Sequence, residues 1–283
     1  MSDQTSIKTQ SDMTASSQKC HPEESRQRRD DEGSRVRELL ARSFFYQLFS
    51  ELLRHPSAGR DRIFVEESKG ACQEAVQFID GERRGQVGKL LNELFDKIKQ
   101  TSDADWATAY ESCLGHTAHS RVPAYELEYG EEHSHRQPQE LADITAFYQA
   151  FGFQVSKKAH ERPDHVTVEC ELMHALLYKE AYALNQGEEE HATICREGSK
   201  QFLSEHLAKW FPAFTFRLSK FHQDGLMKLI ADAAFYFILA ECEAQGISLG
   251  AKDLSVRAIQ EKEETDCVSC QFGPGMNKAA KDM

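Results

Sequence analysis

Several features are missing from this chain, and each absence narrows what it can be. No run of eighteen apolar residues occurs, so no membrane-spanning helix is expected. The first 34 residues are mostly polar and hold neither an apolar h-region nor a small-residue cleavage site, which argues against a secretory signal. Arg28-Arg29 resembles half of a twin-arginine leader, but acids follow it where a leader would turn apolar. There is no Gly-rich phosphate loop, no Ser-His-Asp order and no basic stripe, the usual marks of nucleotide binding, acyl transfer and nucleic-acid binding. Alternating strand patterns and internal repeats are lacking as well. Basic residues are outnumbered, 34 against 46 acids, for a net charge of −12. Such a surface repels nucleic acid and anionic lipid and attracts basic segments of a partner, although acidity also simply keeps a cytosolic protein soluble. The eight cysteines are scattered, mostly inside apolar helical patterns, and read as reduced thiols rather than a disulfide framework.

What is present is a string of amphipathic helices. Hydrophobic residues make up only 40% of the chain, but they are concentrated beyond the polar N-terminal stretch, so the remainder can build a core. Residues 36–53, "VRELLARSFFYQLFSELL", carry one broad apolar stripe that His55-Pro56 ends. Residues 61–80 repeat the pattern weakly, 86–99 strongly, and 104–114 form a further candidate. Residues 115–137 lose the period and hold four histidines among turn residues, which reads as a long, functional loop. Pro138 suits the first turn of a helix that Gly152 closes. Helices follow at 164–185 and at 188–210, the latter broken by Pro212. Residues 225–245 are apolar nearly all round, so that helix should be central, and 251–264 suggest a last short helix. The expected architecture is an all-α, single-domain helical bundle over residues 35–265. A disordered polar tail at 1–34 and a flexible tail at 266–283 flank it.

Few segments look like more than scaffold. Glu161-Arg162-Pro163-Asp164-His165 precedes a long apolar helix. Pro163 and Asp164 fit a first helical turn and its dipole, which leaves Glu161, Arg162 and His165 unexplained. The loop "RVPAYELEYGEEHSHRQ" sets Tyr125 and Tyr129 among Glu126, Glu128, Glu131 and Glu132, a surface suited to a peptide with apolar and arginine side chains, or else a solvated loop pinned by its tyrosines. Glu171 and His174 form a Glu-x-x-His pair of the kind used by di-iron bundles, and Glu188/His191 and Glu132/His135 share the spacing. With twelve histidines in a Glu-rich chain such pairs arise by chance, and no further inward glutamates complete a site. Cys267 and Cys270 form a lone CxxC, short of the four ligands of a zinc site. A metal-binding helical bundle built on Glu171/His174 and this tail is the alternative reading.

Four segments, in order, resemble one known family. Phe45-Tyr46-Gln47-Leu48-Phe49 looks like its aromatic-x-x-Leu-Phe motif, and Val122-Pro123-Ala124-Tyr125-Glu126 like its Pro-x-Tyr-Glu loop. Arg136-Gln137-Pro138 and "LADITAFYQAFGF" are similar to its Leu-Ala-Asp…Phe-Tyr-x-Ala-Phe-Gly helix. Glu161-Arg162-Pro163-Asp164-His165 resembles its Glu-Pro-x-Asp-His motif, with the proline one place later. This is the TorD/DmsD/NarJ family of cytosolic chaperones for molybdenum oxidoreductases, and the resemblance spans about residues 36–245. It implies an all-helical fold, no catalysis and no cofactor of its own. The implied partner is the apo catalytic subunit of a dimethyl sulfoxide reductase-type enzyme, held by its N-terminal leader or its body until the molybdenum cofactor is inserted. The resemblance is compatible with a monomer or a domain-swapped dimer. It also points to Tyr125, Glu126, Glu161, Pro163, Asp164 and His165 as leader-binding residues. Phe45, Phe49 and Tyr148 either supply an apolar groove or fill the core.

Overall fold

The computed structural model describes residues 22–55, 62–79, 81–115, 120–130, 136–156, 161–221 and 225–256. Its helices are α1 (Pro22–Leu53), α2 (Arg62–Ala75), α3 (Arg83–Gln100), α4 (Asp103–Cys113), α5 (Gln137–Ala150), α6 (Val166–Gln186), α7 (Glu189–Phe202), α8 (Ala208–Phe221) and α9 (Leu226–Gln245). Among the described residues short 3₁₀ and π turns and isolated β-bridges, but no strand ladder, occur outside them, so the all-α reading holds. α1 begins well upstream of the Val36 start that its apolar stripe suggests, because residues 22–35 are rich in Glu and Arg, which favour helix by intrinsic propensity.

The core is organised around α1, α6 and α9. α1 lies along α6 and also touches α2 and α9; α6 packs on α7, and α9 packs on α3, α4 and α8. The apolar girth of α9 explains its central position. Leu226, Met227, Ile230, Ala234, Phe237 and Ile238 are all buried. Phe237 gathers three rings from α1, with Phe45 and Tyr46 at 5.0 Å and Phe49 at 5.5 Å between centroids. Cys72, Cys113, Cys170, Cys195 and Cys242 are buried free thiols; burial pushes Cys72 up to about 12, so it is inert at neutral pH.

Pro212 does not break its helix. α7 runs through a π-helical turn (Leu203–Leu207) directly into α8, with Pro212 inside. A proline cannot donate to the carbonyl four residues back, so the Ala208 carbonyl would be left bare. Instead it accepts the amide of Gly250 at 2.8 Å, from the strand-like segment that follows α9. A side chain at Gly250 would place its Cβ 2.0 Å from the Lys209 carbonyl oxygen, so only glycine comes this close. Residues 251–256, expected as the start of a short helix, are instead non-helical, with a turn at 252–253 and a bridge at Val256. They cross α8, where Arg217 Nη2 donates to Leu254 O at 2.7 Å, and pair with the 125–130 loop, where Gly130 N donates to Ser255 O at 2.9 Å. The rest of that expected helix lies outside the described residues.

Candidate functional site

Two of the motif segments, far apart in sequence, are stitched into one junction. Glu126 N donates to Asp164 O at 2.9 Å and Val166 N to Ala124 O at 2.8 Å, an antiparallel bridge that sets Tyr125 opposite His165. The Asp164 side chain is fully buried, and its Oδ2 accepts the Leu127 amide at 3.2 Å. Arg162 grips the same carboxylate with two bonds, Nε to Oδ1 at 2.9 Å and Nη2 to Oδ2 at 2.6 Å, while its Nη1 reaches Glu128 at 2.8 Å. Its guanidinium also lies over the Tyr125 ring, 4.8 Å from the centroid. Burial pushes Asp164 above its usual range, and the Arg162 charge and the Leu127 amide pull it back toward the ion. The Arg162 that separates Glu161 from Pro163 therefore has a physical task, which is to neutralise two buried carboxylates from both sides of the junction.

His165 starts α6. Its Nδ1 accepts the Thr167 amide at 3.3 Å and faces the Thr167 hydroxyl at 2.8 Å, a histidine acting as N-cap. An accepting Nδ1 puts the ring proton on Nε2, which faces Glu161 Oε2 at 3.9 Å. Burial, then Arg162 and Arg54, drive its pKa down to about 3, so the ring is neutral. The Tyr125 hydroxyl donates to Glu161 Oε2 at 2.7 Å, and the Tyr148 hydroxyl from α5 donates to Pro163 O at 2.6 Å. The half-exposed edge of the junction is thus Tyr125, Glu161, Arg162 and Pro163, above a buried layer of Glu128, Asp164, His165 and Tyr148.

Beneath Glu126 lies a second polar layer that has no local sequence signal. His206, in the π-turn, meets Glu126 Oε2 at 2.9 Å and stacks on Phe202 with centroids 4.6 Å apart. Glu169 is completely buried on α6; its Oε2 accepts from Trp210 Nε1 at 3.0 Å, and its Oε1, which no protein donor reaches, lies against Glu126. Burial and then the Glu126 charge raise Glu169 well above its ordinary range, which favours its protonated form.

Six of the sequence candidates therefore come together: Tyr125, Glu126, Glu161, Pro163, Asp164 and His165, with Tyr148 bracing them from below. Phe45 and Phe49 make their ring contacts with Phe237 in the core instead, each 1% exposed, since the stripe on α1 is wide enough to be covered on both flanks. Glu171 and His174 do not converge on a common centre. Glu171 is held by Arg54 and Ser50, and His174 by Ser43, whose hydroxyl is 2.9 Å from its Nδ1. Glu188 and His191 form an exposed pair at 2.9 Å. Among the described residues no group of three or more metal-ligating side chains occurs, and Glu132, His135, Cys267 and Cys270 lie outside them.

Residues 80–215 match the family described as nitrate reductase delta subunit. The chain is 36% identical to the selenate reductase assembly chaperone protein of Thauera selenatis over 78 residues, 28% of this chain and 39% of that protein. It is 25% identical to the chaperone protein TorD of Vibrio cholerae serotype O1 (strain M66-2) over 158 residues, covering 53% of this chain and 67% of that one. It is 27% identical to the perchlorate reductase assembly chaperone protein of Dechloromonas aromatica (strain RCB) over 188 residues, 63% and 78% of the two chains. The match to the first of these spans well under half of that relative's length. No solved structure matches the chain.

Proposed function

As a member of the TorD/DmsD/NarJ family of assembly chaperones, the chain, we propose, binds the apo catalytic subunit of a molybdenum oxidoreductase in the cytoplasm. It assists that subunit's folding and cofactor insertion before export and performs no catalysis. The observation that carries this reading is the junction itself: the Pro-x-Tyr-Glu loop and the Glu-Arg-Pro-Asp-His segment present one edge, Tyr125, Glu161, Arg162 and Pro163, on a rigid buried layer. A leader peptide offers arginines followed by an apolar stretch, and an aromatic ring beside carboxylates suits both. The Arg162 charge is engaged by Asp164 and Glu128, and Glu161 sets a part-exposed carboxylate beside the Tyr125 ring. In this reading Tyr125, Glu126, Glu161 and Pro163 touch the leader. Asp164, His165 and Tyr148 hold the two segments in register.

Affinity capture from the native cytosol, with bound proteins identified by mass spectrometry, tests the reading. The expected result is a molybdoenzyme catalytic subunit that still carries its leader. Capture of no such subunit, with stoichiometric iron or zinc on the purified protein, would overturn it. Titration of the client's leader peptide then tests the edge. Glu161→Gln should weaken binding about tenfold, or roughly 1.4 kcal/mol, with an unchanged circular dichroism spectrum.

A further inference from the structure

Behind the junction edge, the polar layer of Glu126 and Glu169 holds two carboxylates with few donors. Glu126 meets His206 at 2.9 Å. The fully buried Glu169 accepts from Trp210 Nε1 through Oε2, while its Oε1 is reached by no donor of the chain and lies against Glu126. The Arg162 guanidinium is engaged by Asp164 and Glu128. Buried acceptors are ordinarily paired, so Glu169 calls for a donor from outside the chain. An anion is repelled here, and a neutral apolar segment leaves the carboxylates bare. Among the described residues no group of three or more metal ligands forms, at this layer or elsewhere. A planar guanidinium, which is all donors, matches two carboxylates that lie against each other.

The layer is closed off by α5, a weakly anchored helix. Of its fourteen residues Ile144 and Tyr148 alone are buried, whereas most of α6 is. Tyr148 stands close to Glu169, Glu126 and Asp164, whose charges add to burial in pushing its hydroxyl up, and it donates to Pro163 O at 2.6 Å. Phe147 and Tyr148 meet Phe202, the ring on which His206 stacks. Phe151 fills a hollow on α7 that exists because residue 198 is glycine: a Cβ there would stand 2.2 Å from the ring. The backbone bridge that sets Tyr125 opposite His165 uses no atom of α5, so α5 can lift while the edge stays joined. Lifting it uncovers an aromatic floor, Phe202, beside the Glu126–Glu169 pair.

We infer, on the leader-binding reading above, that α5 is a lid which the client's leader displaces. One arginine of the leader enters between Glu126 and Glu169, and the apolar stretch that follows lies on Phe202 and Gly198 in place of Phe147 and Phe151. A lid that is mostly closed lowers the apparent affinity by the fraction of chains in which it is open, and its return expels the client.

Calorimetry and hydrogen exchange on the full chain test this with a synthetic peptide, two arginines followed by a leucine–alanine stretch, and with a control peptide carrying glutamines for the arginines. Binding of the arginine peptide should speed exchange in α5, the reverse of what a ligand does to a helix it merely covers. Glu169→Gln should weaken the arginine peptide about tenfold, leave the control unchanged and not lower the melting temperature. Gly198→Ala evicts the Phe151 ring and should tighten binding about threefold, and Phe151→Ala, the second variant, should do the same. Loss of a contact from a fixed platform would weaken binding instead. Exchange in α5 that is unchanged or slowed on binding, or weaker binding by both lid variants, would overturn the lid. No saturable binding of the arginine peptide, or equal affinity of Glu169→Gln and the unaltered chain for it, would overturn the arginine pocket. Capture of a leader-bearing subunit by a chain that fails these tests leaves the chaperone reading standing, whereas capture of none refutes that reading itself.

Discussion

Arg162 shows how a single side chain can decide whether a polar junction is stable. It is the cation for both Asp164 and Glu128, which are buried. Arg162→Ala would take a charge partner from two buried carboxylates, above all from Asp164, which it grips with two bonds, and removal of one partner of such a pair costs about 3–5 kcal/mol. Chemical denaturation should show that loss, and adding Asp164→Asn should restore part of it; a loss below about 1 kcal/mol would mean that solvent replaces the guanidinium. Glu169 and His165 make the junction respond to pH with opposite signs. Glu169 holds its proton well above the ordinary 4.5, so the unfolded chain releases that proton first and stability falls as pH rises above 4.5. His165 is neutral down to about 3 in the fold, against an ordinary 6.5, so stability falls as pH drops from 6.5 toward 3. Each slope is at most about 1.4 kcal/mol per pH unit, and between 4.5 and 6.5 they oppose one another. Glu169→Gln, which keeps the acceptor for Trp210 and offers an amide to Glu126, should therefore raise the melting temperature at pH 8 and make little difference near pH 4. A melting temperature at pH 8 below that of the unaltered protein would show that Glu169 is ionised in the fold.

Helix α8 depends on a segment that is distant in sequence. The Ala208 carbonyl, left without its normal donor by Pro212, accepts the Gly250 amide. Gly250→Ala would drive a Cβ into the Lys209 carbonyl, so the 250–256 segment must lift. The loss should be about 1–3 kcal/mol, that of a buried carbonyl left unpaired. Hydrogen exchange should speed up at the amides of residue 250 and of Gly130, the latter bonded to Ser255, while α1 and α6 stay protected; unchanged exchange at Gly130 would mean that the segment adheres without its glycine contact. This is also where the sequence stopped being readable. The stripes of residues 36–53, 86–99 and 225–245 announce their helices because period and burial coincide there. Pro212 reads as a breaker because nothing within ten residues of it reveals the rescuing amide. The polar start of α1 has no stripe to read. At the junction, Tyr125 and Glu161–His165 were legible as two dense local clusters. Glu169, His206 and Trp210 were not, since each is an ordinary residue of an amphipathic helix until the fold brings Glu126 above it.

At the scale of the whole molecule, the acidic surface and the junction edge make a joint prediction about a client. In the proposed reading a net charge of −12 draws a basic leader toward the chain from any direction, and the edge of Tyr125, Glu161, Arg162 and Pro163 sets a carboxylate beside an aromatic ring where the leader would dock. The long-range attraction acts mainly on the association rate, and the contacts at the edge act on the dissociation rate. Salt separates the two. The screening length contracts from about 10 Å at 0.1 M to about 3 Å at 1 M, which removes the general field and leaves desolvated contacts largely in place. In stopped-flow measurements the association rate of the leader should fall by about tenfold across that range for the unaltered chain and for Glu161→Gln alike. The dissociation rate should be faster in Glu161→Gln at every salt concentration. An association rate indifferent to salt would remove the acidic surface from the recognition step. A dissociation rate indifferent to Glu161→Gln would move the contact away from this edge while leaving the chaperone reading itself to the capture experiment.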